Sequence, residues 1–269
     1  MLLPRLLTAV VGIPLLLYLI HVGSLPFLIF VVGVAVVALY EYALLLWIGG
    51  RGVQRSTAVV GGGLLALAVA LGSPGPGRSM QGGLPGLIIT CLVLVAMLRE
   101  MLRKEHSLDR AALTVFGALF IGWTLAHLAL LRDLRPHGEA LTFLLFITIW
   151  IMDTTAYAAG HAIGRRKLAP SISPGKTWEG AVAGFVAAVA AVMIAQRFWL
   201  SDALGVRRAL ALGVMLGTVG QASDLAESVI KRAVGAKDSS HLLPGHGGVL
   251  DRFDSLLLAA PMMYYIVIL

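Results

Sequence analysis

Long apolar stretches separated by short polar ones make up most of the chain. A hydrocarbon core about 30 Å thick requires roughly 20 apolar helical residues, and somewhat fewer at the lower limit. Nine stretches qualify, although the third and fourth are short for a span. We therefore predict an all-α fold, a polytopic integral membrane protein with about nine transmembrane helices. The predicted helices lie at residues 5–21, 25–48, 57–72, 84–98, 111–131, 140–162, 178–200, 208–232 and 252–269.

Composition supports the same class of protein. Hydrophobic residues make up 58% of the chain, charged residues make up 13%, and the mean hydropathy is +0.89. These values lie outside the range of soluble globular domains. The single cysteine, Cys91, lies in an apolar stretch, so an intrachain disulfide is excluded and a catalytic thiol is not indicated. We treat residues 1–269 as one membrane domain, in which 1–139 supply helices one to five and 140–269 supply helices six to nine and their cytoplasmic loops.

The distribution of basic residues predicts the orientation in the membrane. Most of the 21 Lys and Arg residues lie at the N-terminus and in the loops after helices two, four, six and eight. Cytoplasmic loops are enriched in Lys and Arg, so these segments are predicted to face the cytoplasm. The net charge of +7 is then explained by this bias and by attraction to anionic lipid. Nothing in the pattern indicates nucleic-acid binding.

The loop between helices six and seven carries the first group of unusual residues. Asp153 places a carboxylate within apolar helix six, and Ser173, Lys176 and Thr177 precede helix seven. The Gly-Lys-Thr sequence is not a Walker motif, because Pro170 stands where that motif requires a glycine. The hydroxyls, the lysine and the helix N-terminus still favour an anion. Alternatively, Ser173 and Thr177 cap helix seven and Lys176 lies among lipid headgroups.

Helix eight carries the second group near its predicted cytoplasmic end. Asp224, Glu227 and Lys231 are spaced i, i+3 and i+7, which places them on one face of the helix. A structural ion pair between Glu227 and Lys231 is an alternative to a functional role. Asp224 lies deeper, and the only basic residue near it in sequence is already within reach of Glu227.

The start of helix nine carries the third group. Asp251 and Asp254, at i and i+3, point the same way, so they are predicted to converge with Asp224. Three clustered carboxylates would repel one another unless a cation lies between them. Oxygen ligands without Cys favour Mg²⁺ over Zn²⁺, and Glu227 is a further candidate ligand. Alternatively, Asp251 or Asp254 merely caps helix nine.

A glycine-rich run precedes helix nine. Gly247 and Gly248 permit close backbone approach to a ligand, and His246 is either a phosphate donor or a simple loop residue. Carboxylates, several basic side chains and this run suit a polyphosphate, whose transfer depends on positioning and charge neutralisation. The residues alone therefore predict a metal-dependent site that handles phosphate at the cytoplasmic membrane face.

The segment 228–254 resembles the signature of the phosphatidate cytidylyltransferase (CDP-diacylglycerol synthase) family. It contains S-x-x-K-R, four residues, K-D, then H-G-G and D-R-x-D at that family's spacing. Residues 153–157 and 168–180 look like a second block of the family. Departures such as Ser223 before Asp224 remove no charged group.

The resemblance implies a homodimeric inner-membrane enzyme, with its active site on the cytoplasmic side, that joins CTP and phosphatidate and releases pyrophosphate. It also implies a site for Mg²⁺, with K⁺ as a candidate second ion, on Asp224, Asp251 and Asp254. The catalytic residues would be Asp224, Lys231, Asp251 and Asp254. The predicted substrate-binding residues are Ser173, Lys176, Thr177, Arg232, Lys237, Asp238, His246, Gly247, Gly248 and Arg252.

Two other classes of protein and one related activity are alternatives. An intramembrane aspartyl protease uses two carboxylates in helices but needs no basic loop, so the density of Lys and Arg argues against it. An ion-coupled transporter expects broken helices near the midplane rather than charges at one face. A relative that uses another lipid phosphate, such as an ether lipid, remains an alternative within the same fold.

Overall fold

The protein, described by a computed structural model, is almost entirely helical. The structure describes residues 2–72, 83–240, 242 and 247–269. Nine helices lie within these ranges when the fifth is counted as one continuous helix with its internal π-helical turn at Ala118–Trp123. The helices are α1 (Leu2–Val22), α2 (Ser24–Ile48), α3 (Arg55–Leu71), α4 (Gly83–Met101), α5 (Leu108–Asp133), α6 (Gly138–Ile163), α7 (Trp178–Phe198), α8 (Val206–Arg232) and α9 (Leu250–Ile268).

The predicted all-α membrane fold is confirmed. Six of the helices, α2 and α4 to α8, are long and apolar enough to cross a membrane by length and composition. Two apolar helical segments are shorter than these six, namely Val10–Val22 of α1 and the whole of α3. Helix α9 is apolar after Asp254, but its first turns carry Asp251, Arg252 and Asp254. The segment between α3 and α4, residues 73–82, lies outside the described residues.

Buried hydrophobic side chains hold the bundle together. The largest fully buried side chains include Phe27 and Tyr42 of α2, Phe146 of α6 and Tyr264 of α9. Because the alternative environment in a bilayer is also hydrocarbon, such side chains stabilise the bundle mainly through van der Waals packing between helices. These residues belong to one hydrophobic core that joins α2, α3, α5, α6, α8 and α9.

The loop between α6 and α7 contains a small sheet that the sequence pattern did not predict. Strands β1 (Lys167–Ala169) and β2 (Ser173–Thr177) pair antiparallel, with Lys167 opposite Thr177 and Ala169 opposite Ser173. The segment was predicted as a plain loop, because its Pro and Gly residues are poor strand formers and no apolar alternation marks it. The hairpin forms from backbone pairing across a short turn rather than from burial of one face.

Helices α6, α7, α8 and α9 pack in sequence order. This order brings the end of α6, the start of α7, the end of α8 and the start of α9 to one end of the bundle. The side chain of Arg232, at the end of α8, donates from Nε to the carbonyl oxygen of Ile172 at 2.9 Å. The α6–α7 loop therefore contacts the end of α8, from which the second polar loop begins.

Candidate active site

A cavity of about 1310 Å³ opens between α1, α2 and the four C-terminal helices. Part of its lining is apolar and comes from α1, α2 and α6, and part is charged. The apolar residues include Ile13, Leu16, Phe30, Val34, Phe146 and Trp150. The polar residues include Asp153, Ser173, Lys176, Thr177, Asp224, Asp251, Arg252 and Asp254. One space thus offers hydrocarbon and ionic surfaces together.

Lys176 and Asp224 form an ion pair that joins β2 to α8. The Lys176 Nζ lies 2.7 Å from Asp224 Oδ2, and both side chains are partly exposed to the cavity. The other oxygen, Oδ1, accepts a long hydrogen bond of 3.4 Å from the Ser228 hydroxyl. The sequence predicted both residues but not their pairing, since they are 48 positions apart.

Two further carboxylates, Asp153 of α6 and Asp254 of α9, line the cavity with this ion pair, which includes Asp224 of α8. Asp254 Oδ1 accepts the backbone N–H of Ser255 at 2.6 Å, and the Ser255 hydroxyl lies 3.5 Å from Asp153 Oδ2. The backbone carbonyl of Asp254 also accepts the Ser223 hydroxyl, which fixes α9 against α8.

Asp251 is engaged by donors of the protein itself. Its Oδ1 lies 2.7 Å from Lys231 Nζ. Its Oδ2 accepts the backbone N–H and the hydroxyl of Ser239, both at 2.9 Å, and the N–H of Gly248 at 2.8 Å. Lys231 Nζ is also 2.5 Å from Oε2 of the fully buried Glu227. The Glu227–Lys231 ion pair weighed as an alternative is therefore present, and Lys231 extends it to Asp251.

The structure explains why Gly247 and Gly248, the described residues of the glycine-rich run, are glycines. Gly247 has φ +80°, a left-handed conformation that glycine adopts without strain. A side chain at Gly248 would overlap the Ser239 hydroxyl and the carboxylate of Glu41. The Gly248 N–H donates to Asp251 here, so in this structure it is not directed at a ligand. His246 lies outside the described residues.

The remaining predicted residues divide between the cavity and the surface. Ser173 and Arg252 line the cavity, and Thr177 does so while its Oγ1 accepts the N–H of Gly180 at 3.2 Å, capping α7. The alternative capping role is therefore observed for Thr177, the last residue of β2, whereas Ser173 lies at the other end of this strand. Arg232 donates to loop carbonyl oxygens, and Lys237 and Asp238 are exposed and are not among the described residues that line the cavity.

Glu41 is the polar residue that the sequence analysis missed. It is 2% exposed on α2, and its carboxylate accepts hydrogen bonds from residues on both sides of the glycine-rich run. A signal was available, because Glu41 is the sole acidic residue among the first 99 and lies in an apolar helix. Ionisable residues in such helices are functional candidates by default.

The donor set fits a hard divalent cation in chemistry, but its present arrangement is not that of a preformed cage. Asp153, Asp224 and Asp254 supply the carboxylate oxygens that Mg²⁺ prefers. Within the described residues, no group of three or more His, Cys, Asp or Glu side chains is placed to hold a metal ion as it stands. Asp251 remains a predicted ligand, as does Glu227, but both are bound to Lys231 here.

Comparison with known proteins gives consistent matches. A model described as the cytidylyltransferase family matches residues 3–269. A protein of Brucella abortus biovar 1 (strain 9-941), named phosphatidate cytidylyltransferase, is 36% identical over 97% of this chain and 91% of its own. A protein of the same name from Bacillus subtilis (strain 168) is 33% identical over 98% of this chain and 97% of its own. A third, from Haemophilus influenzae, is 45% identical over 48% of this chain and 46% of its own.

Proposed function

Since the chain belongs to the cytidylyltransferase family, we propose that it is a phosphatidate cytidylyltransferase. It transfers CMP from CTP to phosphatidate and forms CDP-diacylglycerol and pyrophosphate in phospholipid synthesis. The observation that carries this proposal is the cavity, in which carboxylates and basic groups adjoin an apolar lining. The relatives named phosphatidate cytidylyltransferase, which match along nearly the whole chain, support it.

The apolar part of the cavity suits the acyl chains of the lipid substrate. Residues such as Leu16, Phe30 and Trp150 come from helices whose other faces are also hydrophobic. Acyl chains placed there would stay in contact with hydrocarbon while the phosphate reaches the charged part of the cavity. This division explains why one space contains both kinds of surface.

In the proposed mechanism, a phosphatidate phosphate oxygen attacks the α-phosphorus of CTP in line with the bond to the β-phosphate. The new P–O bond forms as the old one breaks, and pyrophosphate leaves. A phosphate monoester is largely dianionic at neutral pH, so no strong general base is required. Lys176 and Arg252 line the cavity and would offset phosphate charge, while Thr177 and Ser173 would hold phosphate oxygens. Positioning and charge neutralisation supply most of the catalysis in such transfers.

The predicted cofactor remains Mg²⁺, with K⁺ as a candidate second ion. Asp224 and Asp254 would hold it, with Asp153 beside them, and it would neutralise charge on the phosphate oxygens. Because Asp224 now pairs with Lys176, ion binding and a rearrangement of that pair are expected to accompany each other. Binding through Asp251 would in addition require Lys231 to move from Oδ1.

The purified protein in detergent is expected to release pyrophosphate from CTP only when phosphatidate and Mg²⁺ are both present. Removing the metal with EDTA should abolish turnover, and adding excess Mg²⁺ should restore it. An ether-linked lipid phosphate in place of phosphatidate tests the related substrate class. Absence of turnover from well-folded protein would defeat the enzyme proposal, whereas full activity in EDTA would defeat only the metal.

We also propose a bacterial inner-membrane location with the site on the cytoplasmic side, and a homodimeric state. Single cysteines at the exposed positions Lys237 and Asp202, each in a Cys91→Ser background, test the orientation. In intact cells an impermeant thiol reagent should modify Asp202→Cys but reach Lys237→Cys only after lysis. The reverse pattern would invert the topology inferred from the basic residues.

A further inference from the structure

The carboxylate of Glu41 connects α2 to both ends of a loop about 200 residues away. Its Oε1 accepts the Ser240 hydroxyl at 2.6 Å and the N–H of Val249 at 3.0 Å. Its Oε2 accepts the N–H of Leu250 at 2.7 Å and lies 3.4 Å from the Ser239 hydroxyl. One buried side chain therefore binds residues at both ends of the segment between α8 and α9.

These contacts perform a task that the local sequence cannot perform. The first N–H groups of a helix lack partners within the helix and are usually satisfied by a polar side chain at the N-cap. Val249 occupies that position in α9, and no side chain there provides a cap. Glu41 supplies the missing acceptor from a neighbouring helix. The partial positive charge at the N-terminus of α9 in turn favours a negatively charged side chain there.

The position of α9 determines where two predicted site residues lie. Asp251 follows directly after Leu250, and Asp254 is one turn further along the same helix. Ser239 adds a second link, since its N–H and hydroxyl donate to Asp251 while its hydroxyl also lies close to Glu41. Glu41 itself is not among the described residues that line the cavity. Any effect of Glu41 on chemistry must therefore pass through the loop and α9.

We propose that Glu41 is a positioning residue for the transfer reaction, holding the α8–α9 loop and the start of α9 where Asp251 and Asp254 can act. This inference rests on the proposed function. It places one determinant of catalysis in the N-terminal part of the chain, away from the signature segment.

The Glu41→Gln variant tests this role. Glutamine keeps the size of the side chain but accepts hydrogen bonds through one oxygen, so its NH₂ group faces either the Val249 or the Leu250 N–H. We expect kcat to fall about 10-fold or more, with a smaller change in the KM for CTP, because buried donors lose their acceptor. Tyr42→Phe is the matched control, since it removes the hydrogen bond of 2.9 Å that the buried Tyr42 of the same helix donates to the Leu113 carbonyl oxygen of α5. The kcat of Tyr42→Phe should stay within about twofold of the wild-type value.

Two further measurements separate positioning from a general loss of structure. If Glu41 acts through the loop, Glu41→Gln and Ser240→Ala are not additive, and the double variant is no slower than Glu41→Gln. Trypsin should also cleave after the exposed Lys237 faster in Glu41→Gln than in Tyr42→Phe. Ser240→Ala, which keeps Glu41, should change both readouts in the same direction by less, and it serves if Glu41→Gln does not fold.

The outcomes are distinct. Wild-type rates and wild-type cleavage in both Glu41→Gln and Ser240→Ala would overturn the role of Glu41. An inactive wild-type protein would instead defeat the proposed function, and the cleavage comparison would still show whether Glu41 holds the loop.

Discussion

The Asp254→Asn variant is expected to lose at least about 100-fold in kcat, the scale of losing a charged contact to the transition state. Asp254 lies in the first turns of α9 and lines the cavity together with Asp153 and Asp224. Asparagine preserves the shape and the acceptor for the Ser255 N–H but removes the negative charge. The loss should therefore appear in turnover with phosphatidate and Mg²⁺, while the folded fraction by size-exclusion chromatography stays at the wild-type level.

Asp202→Asn is the matched control for this prediction, because Asp202 is exposed in the loop between α7 and α8 and does not line the cavity. It should retain wild-type activity. We expect kcat to fall by at least about the same 100-fold factor in Asp224→Asn and in Asp251→Asn. Near-normal rates in two of the three cavity variants would remove the proposed metal site. A loss confined to Asp251→Asn would indicate that loop anchoring, rather than cation binding, is what the reaction requires.

Replacing Lys231 by methionine is expected to cause the largest loss of stability, about 3–5 kcal/mol. Lys231 is 8% exposed, and its ammonium group lies between the carboxylates of Glu227 and Asp251. Methionine fills a similar volume but leaves two buried negative charges facing each other without a cation. The effect on the free energy of unfolding is measured by unfolding the purified protein in detergent with heat or denaturant.

Lys237→Met makes the same chemical change at an exposed position six residues away. Its midpoint of unfolding should match that of the wild type, which controls for the loss of a positive charge in the loop. The combined Lys231→Met and Glu227→Gln variant should recover part of the lost stability, because one of the two orphaned charges is removed. An unchanged unfolding midpoint in Lys231→Met would show that this ion-pair network does not stabilise the fold.

Hydrophobic patterning predicted the helices well for a physical reason. Spans in a bilayer must satisfy all backbone groups internally, so an apolar stretch of sufficient length has helix as its main option. Both ends of each predicted helix lie within three residues of the ends of the observed helix. The β1–β2 hairpin was not predicted, because its residues show neither apolar alternation nor strand propensity. Its strands depend on pairing across the turn, which no local window reports.

Local spacing also predicted part of the site, but not its partners. The i, i+3 and i+4 relations on α8 correctly placed Glu227 beside Lys231. The pairing of Lys176 with Asp224 and of Lys231 with Asp251 depends on how the helices pack, and sequence spacing carries no information about that. Glu41 belongs to no cluster of charged residues in the sequence, so the charge pattern does not single it out. A single carboxylate in an apolar helix is a weaker pattern but an equally costly one to bury.

The proposed reaction joins the α-phosphate of CTP to the phosphate of phosphatidate in the cavity. It is tested most directly by following two samples of CTP, one radiolabelled at the α-phosphorus and one at the γ-phosphorus, with phosphatidate, Mg²⁺ and the purified protein. We expect the α label to enter the lipid fraction and the γ label to leave as pyrophosphate, in equal amounts. Transfer of the γ label to lipid, or no label in lipid from folded protein, would contradict it.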